Sequence, residues 1–230
     1  MSLPKITFPD LEFEPREGGY ARGQDGFELI LRTALTVFIE YGYKNLTLRR
    51  IAQECGMRPG NISYYFKSKD ELVRALFEAV AGSYEAAMEL AMAQAGDNPE
   101  RKLVNLIDFI LDDVGTKKTT RIFPELWALA NHDPFVKERV EELYAREHHH
   151  FDRVVAQLNP TLPGKERKVL TAFVIASLEG MTVFAGYGKP WQKNIPQLQA
   201  IASRSFVGFV KAMKPGDSLS LPEETDRLFV

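Results

Sequence analysis

Residues 47–72, TLRRIAQECGMRPGNISYYFKSKDEL, crowd three helix boundaries into 26 residues, and that density of start and stop signals restricts the folds open to the chain. Thr47 has the side chain of an N-cap, whose oxygen accepts one of the unpaired N–H groups of a helix's first turn. Gly56 marks a turn. Pro59 suits the first position of a helix, where its fixed φ and missing N–H cost little. Ser68 and Glu71 have the spacing of a capping box. The pattern predicts a helix from Thr47 to about Glu54, a short one over Pro59–Phe66, and a long one from Ser68 to about Ala93.

Upstream, Phe27, Ile30, Leu31, Ala34, Phe38 and Tyr41 recur at three- and four-residue steps and make one apolar stripe, so a helix is expected from near Asp25 to Gly42. Three short helices with a proline-started third member read as a helix-turn-helix, whose last helix offers its first turn to base edges in a major groove. Between Gly42 and Arg74 stand seven basic and three acidic residues, a net +4, which leaves −6 for the rest of a chain whose total is −2. A basic head on an acidic body suits one face turned to a polyanion. Arg58 can present two donors to guanine, and Asn61 can pair with adenine. Gly60 permits close backbone approach beside Pro59. Ser63, Tyr64 and Tyr65 offer hydroxyls toward phosphate or apolar contact with a thymine methyl. Tyr64 is expected to face DNA; Tyr65 is open between DNA and packing, and Arg50 between DNA and a solvated helix face.

The remaining chain reads as helical throughout, with no convincing strand. Residues 1–24 are expected as a flexible arm, 25–67 as the DNA-binding domain, 68–214 as an effector-binding and dimerisation domain, and 215–230 as a tail. The stretch Val169–Ala185 is apolar on nearly every face and is expected to be buried on several sides. A single cysteine, Cys55, excludes an intramolecular disulfide framework and fits a reducing compartment, so a cytoplasmic protein is expected. No run of about 18 uniformly apolar residues is evident, so no membrane span is expected.

Phe38, Gly42-Tyr43, Thr47, Ile51-Ala52, Gly56, Gly60, Ile62, Tyr65-Phe66, Lys69 and Leu72 occur in an order and spacing that resemble the tetracycline-repressor family of bacterial transcription regulators. The resemblance is specific over roughly residues 27–77 and architectural beyond them. It implies an all-α homodimer of about nine helices per chain, a roughly palindromic double-stranded operator, and repression relieved when a small organic effector binds the body. It also implies that Thr47, Arg49 and Lys69 hold the phosphate backbone. Two residues depart from the family's habit. Arg58 stands where a small N-cap residue is common, and Ser63 where a tyrosine is frequent.

In the body, Phe109, Phe123, Trp127, His132, Tyr144, Phe173 and Phe184 are the candidate effector contacts, with Glu125 and Glu179 as possible polar partners; most of the aromatics are expected to be core. His148-His149-His150 are consecutive, and on a helix they fan over about 200° and cannot all ligate one ion, so no metal site is expected. No serine–histidine–acid, paired-carboxylate or glycine-rich phosphate pattern is found, so neither an enzyme nor a cofactor is expected. The rival reading is a small-molecule carrier or adaptor that has lost DNA regulation.

Overall fold

The computed structural model describes Leu11 and residues 21–217, and among them the only regular structure is helical. The expected arm lies almost wholly outside the described residues, as does the tail beyond Asp217. The first helix, α1 (Ala21–Tyr41), starts four residues before the expected Asp25. Apolar periodicity begins only at Phe27, but the preceding turn is held by an i,i+4 hydrogen bond from Gln24 Nε2 to Glu28 Oε1 at 3.0 Å. Gly42 ends α1 at φ 80°, as the sequence implies, and a one-turn 3-10 helix (Tyr43–Asn45) follows.

α2 (Leu48–Glu54) is capped by Thr47, whose Oγ1 accepts from Arg50 N–H at 3.2 Å. α3 (Pro59–Tyr65) opens on its proline and buries a single side chain, Ile62. At α4 (Lys69–Gln94) the Ser68 hydroxyl accepts from Glu71 N–H at 3.1 Å, while the Glu71 carboxylate accepts from Lys67 N–H at 2.7 Å, one residue upstream of the reciprocal bond a capping box would make. Ile30, Leu31, Ala34 and Phe38 of α1, Ile51 of α2, Ile62 and Phe66 close one core with Leu72, Val73 and Leu76 of α4.

The body is built from the rest of α4 with α5 (Pro99–Val114), α6 (Lys117–Ala130), α7 (Pro134–Leu158), α8 (Gly164–Glu179), the short α9 (Met181–Ala185) and α10 (Ile195–Ala212). α8 and α9 are nearly continuous, interrupted at Gly180, so the described residues form nine helices if that pair counts as one. α6 begins at Lys117, because Thr116 caps it and accepts from Thr119 N–H at 3.2 Å. The head has no sharp border with the body. Ile122 and Leu126 of α6 and Val136 of α7 lie in the same core as α1–α3, whereas Phe123, the next residue of α6, belongs to the body core.

One expectation fails clearly. The stretch Val169–Ala185 is not buried on several sides: Leu170, Val174, Ile175 and Leu178 face the body core, but Phe173 is 55% exposed and Phe184 64%, with Val169 and Val183 also exposed. Ile201 and Phe209 of α10 are exposed as well, and the Phe173 ring lies 6.0 Å from that of Phe209, so α8 and α10 present one apolar face. The span Gly164–Ala185 is long and apolar enough to cross a membrane, contrary to the expectation that no such stretch exists, yet its inner face is core and its first turn carries Lys165, Glu166, Arg167 and Lys168.

Ile62 ties α3 to the head and is fully buried. Ile62→Ala should destabilise the head by about 2–4 kcal/mol, from lost apolar burial plus the void left behind. Urea unfolding checks this, and a loss under about 0.5 kcal/mol, the range of an ordinary surface substitution, would mean that α3 is not held by this side chain.

Candidate nucleic-acid interface and internal cavity

α3 turns one side chain inward and the rest outward. Pro59, Gly60, Asn61, Ser63 and Tyr64 are exposed around the buried Ile62, and Tyr64 is 75% exposed. A Cβ at Gly60 would meet nothing within 4 Å, so the backbone there is open to a close neighbour. Arg58 is the N-cap of α3, but its side chain makes no capping bond and is exposed. The Ser63 hydroxyl donates back to the Pro59 carbonyl at 3.2 Å, which leaves its lone pairs outward. Thr47 and Arg49 are exposed at the start of α2.

Three residues of this surface are committed elsewhere. Tyr65 is half-buried and packs on α1, where a Cβ at Gly26 would lie 2.3 Å from its hydroxyl oxygen. The Arg50 guanidinium lies 3.7 Å from the Tyr41 ring centroid and 3.6 Å from Glu54 Oε1, so it braces the helix surface. The Lys69 ammonium donates to the Tyr43 carbonyl at 3.1 Å and sits 3.8 Å from the Tyr43 ring centroid; burial pulls its pKa down. Lys69 thus fastens α4 to the 3-10 turn, and any phosphate contact it makes starts from that position. Cys55 is half-buried, and burial pushes its thiol pKa up, away from the reactive thiolate.

The body holds a second constellation, which the sequence disclosed only in part. A narrow cavity of about 20 Å³, partly continuous with solvent, is walled by Tyr84, Met88, Ile110 and Phe123 and by the acidic side chains Asp113, Glu147 and Glu179. Asp113 Oδ2 accepts from the hydroxyls of Tyr84 and Thr119, and Oδ1 pairs with Lys118 Nζ at 2.9 Å. Burial lowers the Lys118 pKa to about 8, against the opposing pull of Asp113. Glu147 is buried, and its Oε1 has no hydrogen-bond partner. Burial first, then the negative charge of Glu179, raises its pKa well above the carboxylate range. Burial and the Asp113 charge push Glu179 up to about 7, opposed by the hydrogen bond from Tyr144.

Of the expected effector contacts, Phe123 lines this cavity. Trp127 Nε1 donates to Tyr144 Oη at 2.8 Å, and Tyr144 donates to Glu179 Oε2 at 3.4 Å, so that pair stands one layer behind the wall. Phe109 is core, edge-on to Tyr84. Phe173, Phe184 and His132 do not take part: the first two lie on the exposed α8–α9 face, and His132 is exposed in the turn after α6. Glu125 is not at the cavity either. Its Oε1 accepts from Tyr43 N–H at 2.9 Å, and its carboxylate fills the space beside Gly42.

Asp113 and Glu147 were missed, although each falls on an apolar stripe, at Ile110 plus three and Leu143 plus four, where a surface acid would not belong. Among the described residues no three His, Cys, Asp or Glu side chains converge closely enough to hold a metal ion. Of the histidine run, His148 Nε2 bonds the Lys168 carbonyl at 2.9 Å and His150 Nδ1 lies 3.2 Å from Glu89.

Residues 30–76 match the family described as bacterial regulatory proteins, tetR family, and residues 99–204 match the C-terminal region of BetI-type transcriptional repressors. The chain is 26% identical to the regulator BetI of Stenotrophomonas maltophilia over 67% of its own length and 78% of that protein's. It is 29% identical to an uncharacterised helix-turn-helix regulator of Xanthobacter autotrophicus over 75% of its length and 85% of that protein's. Its fold matches that of the transcriptional regulator FadR from Bacillus subtilis, solved in complex with stearoyl-CoA, with a TM-score of 0.62 at 18% identity, covering 81% of this chain and 98% of that one. With a head and a body that both match at the expected positions, the chain belongs to the tetR family, the DNA-binding regulators of bacterial transcription.

Proposed function

We propose that this protein is a homodimeric repressor that grips a roughly palindromic operator through two copies of α3 and releases it when a small organic cation enters the body cavity. The observation that carries the DNA reading is the outward face of α3, with Arg58, Asn61, Ser63 and Tyr64 exposed around a single buried anchor. The apolar face of α8 and α10 supports pairing with a second copy. Such pairing would set two α3 helices into successive major grooves about 34–36 Å apart.

The charge of the cavity supports the effector class. Glu85 of α4, Asp113 of α5, Glu147 of α7 and Glu179 of α8 face it, against Arg146 of α7, while Lys118 of α6 pairs with Asp113. Arg146 is engaged outward, with Nη1 donating to Glu78 at 2.8 Å and Nη2 at 3.0 Å. Asp113 opposes a polyanionic molecule such as the acyl-CoA held by the Bacillus subtilis regulator, and the raised acids Glu147 and Glu179 offer it no counter-charge. Tyr84 and Phe123 add aromatic faces that attract a desolvated cation.

Arg58→Ala should cost about 1–3 kcal/mol on the preferred operator and flatten discrimination at one base position. Operator selection from random DNA reads this, and equal losses on operator and random duplex would remove Arg58 from base recognition. Phe173→Glu should convert dimers to monomers in sedimentation, and an unchanged dimer mass would place the joint elsewhere.

A fixed-charge cation draws Glu147 and Glu179 toward their ionised forms, because burial raises both in the empty cavity, Glu179 to about 7 and Glu147 well above the usual carboxylate range. Binding therefore releases protons, and affinity should rise from about pH 6 to about pH 8. Titration calorimetry with tetramethylammonium, tetraethylammonium and benzyltrimethylammonium checks this, with benzyl alcohol and benzoate as neutral and anionic controls. Tighter binding of benzoate, or no binding by any ammonium ion, would refute the cationic effector.

A further inference from the structure

We propose that the Lys118 ammonium is the resident occupant of the effector's cation subsite, and that a bound effector takes over the Asp113 carboxylate, expels Lys118 and thereby slackens the yoke between α6 and the head. This proposal rests on the cationic-effector reading given above.

Lys118 and Asp113 form a buried ion pair, with side chains only 13% and 6% exposed. Each has lost its water, and a buried pair of this kind gains little net stability over its desolvation cost. Exchange of one ammonium for another on Asp113 leaves that balance nearly unchanged, whereas removing Lys118 without replacement would strand a charge. The remaining ligands of Asp113, the Tyr84 and Thr119 hydroxyls, hold its other oxygen and need not move in the exchange. The cavity is narrow as it stands, so an effector needs room, and the carboxylate of its wall residue Asp113 is held by Lys118. Glu147, with its unpartnered Oε1, lines the same cavity.

The consequence for the head follows from the neighbouring residue. Lys117 and Lys118 are consecutive in the first turn of α6 and point about 100° apart. Lys117 Nζ reaches outward to Glu40 of α1, 2.6 Å from Oε1 and 2.8 Å from Oε2. One turn on, Arg121 Nη1 donates to the Ile39 carbonyl at 3.1 Å, and Glu125 accepts from Tyr43 N–H at 2.9 Å. Three consecutive turns of α6 therefore touch either Asp113 of the cavity wall or the end of α1 and the elbow before α2. When Lys118 leaves Asp113, Thr119 alone holds the first turn of α6 to that carboxylate, and the outward ties to α1 weigh against a weaker inward one.

The test uses the full-length protein and whichever ammonium ion of the panel binds tightest. Lys118 acetylation by an amine-reactive ester, read by peptide mass spectrometry, should speed up about tenfold on saturation with that ion, while Lys211, far from the cavity, should not change. In Lys118→Met the same ion should bind at least about tenfold tighter, since its internal rival is gone. Operator affinity of the unliganded variant should fall toward that of the liganded parent. Bound ammonium with Lys118 labelling unchanged, or equal ammonium affinity in parent and variant, overturns the exchange while leaving the cationic effector standing. If no ammonium ion binds the parent, both fall. The labelling arm needs no variant, so it decides the matter even if Lys118→Met does not fold.

Discussion

Helix α6 is the member on which the arrangement of the molecule depends. Ile122 and Leu126 are buried in the core of the head, and Phe123 between them is buried in the core of the body. Interiors pack at crystal-like density and shift between discrete arrangements instead of deforming smoothly. A helix shared by two cores therefore cannot be displaced at one without strain at the other. Its polar edge repeats the theme, with Lys117, Arg121 and Glu125 all bonded to the end of α1 or the elbow at Tyr43. The exposed ion pairs in this set are individually weak in water. The Glu125 bond differs, because it satisfies a backbone N–H in a segment that Gly42 has already turned into the left-handed region.

That elbow explains why two side chains expected to meet DNA or ligand, Lys69 and Glu125, have other work. Tyr43, Lys69 and Glu125 form one cluster, in which the Tyr43 carbonyl takes the ammonium and its N–H the carboxylate. A cation on the carbonyl and an anion on the N–H of one residue fix the direction in which the chain enters α2. The orientation of the whole helix-turn-helix relative to the body is thus set by polar contacts at one residue, while its internal shape is set by apolar ones around Ile62.

The local signals were the ones the sequence carried well. Caps at Thr47 and Ser68, the proline at α3 and the glycine at Gly42 depend on a few adjacent residues and appear where expected. What escaped were features decided by residues far apart in the chain. Glu147 continues the stripe of Leu143 and Phe151, but only folding brings it to the same cavity as Glu179 and Asp113. Lys118 sits beside Lys117 in a run that reads as a solvated charge cluster, and its inward turn depends on Asp113 in a different helix. The α8 stretch reads as all-round apolar, and that pattern alone cannot separate a helix buried within one chain from one whose outer face awaits a second copy. Phe173 and Phe184 fell on the wrong side of that ambiguity.

The cavity's acids also set how it discriminates. An empty cavity with Glu147 and Glu179 held neutral costs little to keep, because neutral acids suffer far less from burial than carboxylates do. A neutral guest finds only this neutral lining and narrow space. A cation, by contrast, creates its own binding charge by shifting the titration of both acids, so the negative potential appears only when there is a positive charge to meet it. An anion gains nothing from that response and is opposed by Asp113, whose counter-ion Lys118 is already engaged. On the cationic reading proposed above, selectivity for charge would arise from the protonation equilibrium of buried acids, and selectivity among cations from the fit against Tyr84, Met88 and Phe123.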